Sequence, residues 1–385
     1  MPWQERDTVS LRLEFVQLAT QEGRNMRELC RRFGISPKTG YKWLARFRQS
    51  GAQPVAVHDR GRRPLSSPER TPPELEQAVV NLRKDFPAWG GRKIARVLLR
   101  SEVGALAPST VTSILHRHGL IEPLNRQARE FQRFEHERPN SLWQMDFKGD
   151  FATLQGRCHP LTILDDHSRF NLALTANSKT ARSDIQPQLQ AVFERYGLPV
   201  RINVDNGPPW GGAEAVEHGL TELTVWMIRI GVRVSHSHPH HPQTNGKIER
   251  FHRTLDDEVI AGQHYADDDQ VQRAFDRWRP IYNCYRPHEA IGMHTPVERY
   301  QPSPFPMPRT LPAIEYRSDD IVVTVASPGY MRFSGRKWPV CRALRGLPIA
   351  LRADPEADGK FALYFCHQKF GEIDLNRRFN IPQDG

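Results

Sequence analysis

The chain has 385 residues, 38% of them hydrophobic, and carries 54 Lys/Arg against 44 Asp/Glu, a net charge of +10. That length predicts roughly two to four domains with packed cores, and no apolar run approaches the roughly 18 residues of a membrane-spanning helix. The start, Met1-Pro2-Trp3-Gln4-Glu5-Arg6-Asp7, has no apolar stretch of signal-peptide type, and the five scattered cysteines include no Cys-x-x-Cys pair, so a cytoplasmic protein with reduced thiols is expected, without a disulfide framework or zinc ribbon.

The charge is unevenly placed. Residues 1–137 hold 24 Lys/Arg and 15 Asp/Glu, whereas the remainder holds 30 and 29. A basic module joined to a nearly neutral one suggests a polyanion-binding part tethered to a part with another task.

In chain order, residues 1–51 read as helices. Leu11, Phe15 and Leu18 fall at helical spacing. Met26 to Phe33 is followed by Gly34-Ile35-Ser36-Pro37, in which Ser36 suits an N-cap and Pro37 the first helical position. The next helix, Lys38 to about Arg48, is expected to place Tyr41, Leu44 and Phe47 on one side. This is a helix-turn-helix pattern, and Lys38, Thr39 and Lys42 at the start of its second helix are candidates for DNA contact. A plain three-helix bundle with solvated charges is the alternative.

Residues 52–73 form a Pro/Arg-rich linker in which Arg60, Arg62 and Arg63 either lie in a minor groove or are simply solvated. Residues 74–122 repeat the helical theme. Leu75, Val79 and Leu82 form a stripe, Gly90 to Leu99 reads as a first helix bearing Arg92 and Lys93, and Pro108 to Leu115 reads as its capped partner with Ser109 and Thr110 at its start. Two such units can span more than one turn of DNA. Residues 123–140 are a second linker.

From 141 to 300 the pattern is mixed. Strands are expected at Leu161–Leu164, Phe170–Thr175, Arg201–Val204 and Val232–Ser235, and helices at Asp184–Tyr196 and Leu220–Ile230. Ile248, Phe251, Leu255 and Val259 mark a further helix. This indicates an α/β sandwich. Residues 301–318 are a Pro-rich linker. Residues 319–385 carry short strands with Gly turns, predicting a small β-barrel.

Three carboxylates stand out in the central part: Asp146 within a strand, Asp205 just past another, and Glu249 on the last helix, with 58 and 43 residues between them. Phosphodiester chemistry needs charge neutralisation and in-line placement more than covalent help, and two divalent ions roughly 4 Å apart supply both. Mg²⁺ takes hard oxygen ligands, so a few carboxylates gathered from different elements suffice. Taken singly, each has an ordinary explanation: Asp205-Asn206-Gly207 as a turn, Glu249 as an i,i+4 partner of Arg253. The four histidines His236, His238, His240 and His241 share one loop without cysteine partners, which argues against a zinc site. No Gly-x-x-x-x-Gly-Lys-Ser/Thr sequence occurs, so ATP use is not indicated.

The motifs Trp143-Gln144-Met145-Asp146, Asp165-Asp166-His167-Ser168-Arg169, Val204-Asp205-Asn206-Gly207 and His241 through Leu255 resemble those of bacterial insertion-sequence transposases of the DDE class with a retroviral-integrase-type core. The resemblance covers most of 10–300. It implies an RNase H-like fold and ligation of two Mg²⁺ or Mn²⁺ ions by Asp146, Asp205 and Glu249. It also implies cleavage at inverted-repeat ends of an element, and joining of the freed 3′-OH to target DNA. Asn206, Gln243, Asn245, Lys247 and Arg253 are then further candidates for contact with double-stranded DNA, and Asp165 and Asp166 are expected to orient Ser168 and Arg169. Joining two ends in concert implies at least a dimer, assembled on DNA, in the bacterial nucleoid. One departure is Asp256, seven positions after Glu249, where many relatives carry a basic residue. The alternatives are a domesticated DNA-binding regulator that no longer cuts and a nuclease of RNA–DNA hybrids.

Overall fold

The computed structural model describes residues 7–59, 71–101, 103–121, 135–211, 220–236 and 246–376. The chain divides into two compact units, Met1–Thr71 and Pro72–Gly385.

The first unit holds α1 (Thr8–Ala19), α2 (Met26–Arg32) and α3 (Pro37–Gln49). Ser36 caps α3 by accepting from the Thr39 N–H at 3.2 Å, and Pro37 opens the helix. Gly34, at φ +63°, makes the turn between α2 and α3. Phe15, Val16, Leu29, Cys30, Trp43, Leu44 and Phe47 form the core. The expected stripe of α3 needs one correction. Tyr41 is 58% exposed, and Trp43 takes the buried place, with the Arg12 and Arg46 guanidinium groups 4.3 and 4.9 Å from its ring centroid. A cation-covered indole fills the space between helices that a phenol three residues before Leu44 does not reach.

The second unit begins with α4 (Pro73–Asp85), α5 (Gly91–Arg100) and α6 (Pro108–Arg117) around Val79, Trp89, Ile94, Leu98, Val111, Ile114 and Leu115. The start of α6 carries Pro108 at its first position, and no side chain caps it.

A five-stranded sheet follows. Its strands are β1 (Trp143–Phe147), β4 (Leu161–Asp165), β5 (Asn171–Thr175), β6 (Arg201–Val204) and β7 (Arg233–His236), in the order β5-β4-β1-β6-β7. A separate hairpin, β2 (Phe151–Thr153) and β3 (Gly156–Cys158), leads into β4. The first three sheet strands are antiparallel, whereas β6 and β7 run parallel to β1. β4 is buried along its whole length, so successive residues face different cores. Ile163 packs towards α7 (Arg182–Tyr196) and α8 (Glu222–Arg229). Leu164 packs towards α9 (Gly246–Leu255) and α10 (Asp268–Pro280). Helices on both faces of a mixed sheet are the integrase-type, RNase H-like layering. Each of α9 and α10 continues into a π-helical turn, Asp256–Ile260 and Ile281–Tyr285, and α11 (Pro296–Arg299) closes this region.

The C-terminal part differs from expectation. β8 (Ile321–Thr324), β11 (Pro348–Ala353), β12 (Lys360–Phe365) and β13 (Gln368–Asp374) form an open sheet ordered β13-β12-β11-β8, while β9 (Tyr330–Phe333) and β10 (Arg336–Pro339) pair only with each other. No closed barrel forms among the described residues. The hairpin strands are four residues each, and β10 ends in Pro339, which has no N–H to extend a ladder. Instead the hairpin buries Met331 and Trp338 in the hydrophobic cluster shared with the core sheet. The Gln368 side chain donates to Val234 O and accepts from Val234 N–H, both at 2.8 Å, covering part of the β7 edge.

Candidate active site

β1 and β6 run side by side in parallel, Trp143 against Ile202 and Gln144 against Asn203. Continuing that register sets Asp146 beside Asp205, which follows β6 directly. α9 is tied to the same place by Gln144. Its Oε1 accepts from the Ile248 N–H at 3.1 Å, and its Nε2 donates to Asp166 Oδ1 at 3.1 Å. Glu249 is the next residue on the helix. Thr162 of β4 adds a second tie. Its Oγ1 donates to Asp146 O at 2.9 Å and meets His252 Nε2 of α9 at 2.7 Å.

The three carboxylates share one electrostatic neighbourhood. Burial pushes the Asp146 carboxyl up to about 7, and the charges of Asp205 and Glu249 push the same way, against a hydrogen bond from the Phe147 N–H. Burial also raises Asp205, opposed by the Gly207 N–H and by His236. The His236 Nδ1–H donates to Asp205 O at 3.0 Å, and Asp205 Oδ1 is buried with no hydrogen-bond partner among the described residues. A buried acceptor without a donor is costly unless a cation faces it. No three His, Cys, Asp or Glu side chains among the described residues stand close enough to enclose a single ion. In donor chemistry, an unpartnered carboxylate oxygen beside two further carboxylates fits a hard divalent cation.

Asp165 and Asp166 belong to the framework. Asp165 is fully buried and accepts from the Asn140 N–H at 2.7 Å and from the Ser168 N–H and Oγ at 2.8 and 2.5 Å. Asp166 accepts from the His136 N–H and from Lys247 Nζ, at 2.9 and 2.5 Å. Arg169 pairs with Glu135 rather than with either aspartate.

The sequence candidates for DNA contact fall into three groups. Lys38 and Lys42 are exposed on α3, Thr39 is half-buried against Ser36, Ser109 and Thr110 begin α6, and Asn206 and Arg253 are exposed near the carboxylates. Arg60, Arg62, Arg63, Gln243 and Asn245 lie outside the described residues, as do His238, His240 and His241. Three candidates have surroundings that the sequence did not reveal. Lys247 is half-buried in its ion pair with Asp166, Arg92 is exposed and pairs with Glu289 at 3.2 Å, and Lys93 is half-buried, where burial and Arg286 lower its ammonium to about 8. For Lys247 and Arg92 a carboxylate of the same unit pairs with the cation that an isolated helix would offer to solvent alone.

The departure at Asp256 also finds an explanation. Lys148, two residues beyond Asp146, reaches Asp256 at 2.9 Å, so the cation on this side comes from the end of β1. Burial and the nearby Lys148 lower His252 to about 4. Lys148, Gln144, Thr162 and His252 went unread in the sequence. Gln144 and His252 lie inside the quoted motifs, and Asp256 was the only hint of Lys148.

Integrase core domain family models match residues 136–242 and 230–296, a helix-turn-helix domain model matches 11–64, and a homeodomain-like domain model matches 39–115. The model of the IS481 family transposase C-terminal domain matches 320–380. Among curated proteins, the chain is similar to the insertion element IS476 uncharacterized 39.2 kDa protein of Xanthomonas euvesicatoria, at 24% identity over 56% of this chain and 57% of that protein. It is similar to the IS407 uncharacterized 31.7 kDa protein of Burkholderia multivorans, at 23% identity over 60% of this chain and 83% of that protein. It also resembles the Gag-Pol polyprotein of avian reticuloendotheliosis virus, at 25% identity over 46% of this chain and 17% of that protein. The chain thus spans little more than half the length of the IS476 protein. Among solved structures, it is similar to the simian T-cell lymphotropic virus intasome in complex with PP2A regulatory subunit B56 gamma (TM-score 0.36, 16% identity, 78% of this chain and 100% of that chain). It is also similar to the HTLV-2 integrase catalytic core domain in complex with magnesium (TM-score 0.29, 17% identity, 42% of this chain and 97% of that chain). Helix-turn-helix, integrase-core and IS481 C-terminal matches therefore follow one another along the sequence, and together with the insertion-element relatives they support a bacterial insertion-sequence transposase of the DDE type.

Proposed function

We propose that the chain binds the inverted-repeat ends of an insertion sequence, cleaves them, and joins the freed 3′-OH ends to target DNA, working as at least a dimer assembled on double-stranded DNA. The observation that supports this reading is the electrostatic coupling of Asp146 to Asp205 and Glu249, with Asp146 resisting ionisation and Asp205 Oδ1 left without a donor among the described residues. Those three side chains would hold two Mg²⁺ or Mn²⁺ ions, which when bound neutralise the phosphate oxygens and lower the barrier to in-line attack. The chain's own part is placement. Gln144 and Thr162 fix β1, β4 and α9 against one another, so the carboxylates meet the scissile phosphate from two strands and a helix.

In cleavage, water adds to phosphorus and the 3′-oxygen leaves with a proton. In joining, that 3′-OH adds to a target phosphorus and the target's own 3′-oxygen leaves. Each step exchanges one P–O bond for another and needs no ATP. Lys38, Thr39 and Lys42 on α3, and Ser109 and Thr110 on α6, would contact the element ends. Asn206 and Arg253 would contact DNA beside the carboxylates, together with Arg60, Arg62, Arg63, Gln243 and Asn245.

The test is incubation of the chain and Mg²⁺ with a labelled inverted-repeat end, then with a plasmid target. Cleavage and joined product are expected, and both disappear in Asp205→Asn. Binding of the end with neither product from the wild-type chain would sink the proposal.

A further inference from the structure

The second helical unit does not stand apart from the core. Trp89, in the turn before α5, is fully buried and donates its Nε1–H to Glu258 Oε1 at 3.2 Å. Glu258 lies in the π-helical turn after α9. Its carboxylate also accepts from Arg286 Nε and Trp278 Nε1, each at 2.9 Å, and the Glu258 and Arg286 side chains are each only 8% exposed. Trp89 stacks on Phe86 with ring centroids 4.0 Å apart, and Tyr285, from the second π-helical turn, lies 5.7 Å from each. Ile281 of the same turn packs into the hydrophobic cluster of α4–α6. Along α5, Arg92 reaches Glu289 at 3.2 Å and Arg100 reaches Glu298 at 2.9 Å.

Two features make this more than casual contact. The receiving surface is built from the two irregular turns in which α9 and α10 widen into π-helix, and such π turns concentrate at functional positions. Further, Arg92 and Arg100 of α5 face Glu289 and Glu298, while Trp89 before the helix meets Glu258, so the helix is held at both ends and at its entry. α6, the helix whose start bears Ser109 and Thr110, is packed on α5 and is carried with it.

We infer that this interface is a ruler. Trp89, Arg92 and Arg100, acting through Glu258, Glu289 and Glu298, are positioning residues that fix the number of base pairs between the sequence met by α6 and the phosphate presented to Asp146, Asp205 and Glu249. The inference rests on the transposase reading above. It goes beyond it in making the distance of cutting a property of a protein interface and not of the DNA terminus. The partner is one continuous duplex that touches α6 and the carboxylates together.

The test uses the full chain and needs none of its own chemistry. An iron–EDTA group is attached at Arg250→Cys, an exposed position of α9, with the exposed Cys284 replaced by Ser, and its hydroxyl-radical cuts mark where the core lies on an inverted-repeat end. The protected block that Ser109→Glu abolishes marks α6. One to four base pairs are then inserted between that block and the terminus. The cuts are expected to keep their distance from the α6 block and to move off the terminus by the inserted number. Cuts that stay at the terminus overturn the inference. In Arg92→Glu/Arg100→Glu, which sets like charges against Glu289 and Glu298, the end is still bound but the cuts spread over several positions. A sharp, unmoved set of cuts in that variant overturns the inference, and so does loss of end binding, which would make those arginines DNA contacts. Failure of the wild-type chain to bind the end at all overturns this inference together with the transposase reading, and shows in the binding gel before any cutting.

Discussion

Asp146→Asn removes a charge from the one carboxyl that the fold holds most reluctantly ionised. Its folded value of about 7 against an ordinary 3.8 corresponds to about 4 kcal/mol at 1.4 kcal/mol per unit. Solvent screening at this half-buried position reduces that to roughly 2 kcal/mol. Because the folded chain binds the proton more tightly than the unfolded chain, the stability lies below the unfolded value and is lost as pH rises through about 7. At pH 8 without divalent metal, Asp146→Asn is therefore expected to be more stable than wild type, raising the melting temperature of the core transition by roughly 3 °C. By pH 5.5 the advantage falls to about half, since wild-type Asp146 is then protonated when folded but still ionised when unfolded. Thermal unfolding of both proteins in EDTA across this range is the assay. Added Mg²⁺ narrows the gap by stabilising wild type alone. An Asp146→Asn chain that is no more stable than wild type at pH 8 would refute the claim that the neighbouring carboxylates and burial oppose its ionisation.

Other outcomes follow from single contacts. Lys247→Ala strips the buried Asp166 of its cation and is expected to cost roughly 3 kcal/mol in urea unfolding, much of it recovered when Asp166→Asn is added; a neutral result would return Lys247 to the DNA-contact group. Gly40→Ala places a Cβ 2.6 Å from Cys30 Sγ and 2.9 Å from Phe15 Cζ, and should destabilise the first unit by roughly 1–3 kcal/mol, read by its own unfolding transition. Lys42→Ala should weaken duplex binding alike for all sequences and lower the slope of log affinity against log salt by roughly 1; an unchanged slope would remove Lys42 from the phosphate contacts.

The helical units were legible because local chemistry is sufficient there: Ser36-Pro37 opens α3 and Pro108 opens α6, whatever surrounds them. The elements that carry Asp146, Asp205 and Glu249 were legible because each residue sits in a short motif at a strand end or helix start. Tyr41 was misread because helical spacing alone cannot tell a core aromatic from an exposed one, and the two arginines covering Trp43 come from different helices, one of them 31 residues earlier. The ion pairs of Arg92 and Lys247 were invisible for the same reason, since their carboxylate partners lie 81 residues or more away in sequence. The barrel expectation failed at closure, which depends on whether edge strands meet, and short strands with turns say nothing about that.

Gln144 has a consequence for how this sequence can change. One amide side chain, two residues before Asp146, holds the backbone of Ile248 and so the entry to α9. The position of Glu249 relative to Asp146 is thereby set by a neighbour on β1 and not by the hundred or so residues that separate them along the chain. Insertions and deletions between β7 and His241 are consequently free to accumulate without dislodging the third carboxylate, and length differences among relatives should collect there, ahead of the His241–Leu255 motif, while the span from Gln144 to Asp146 stays fixed.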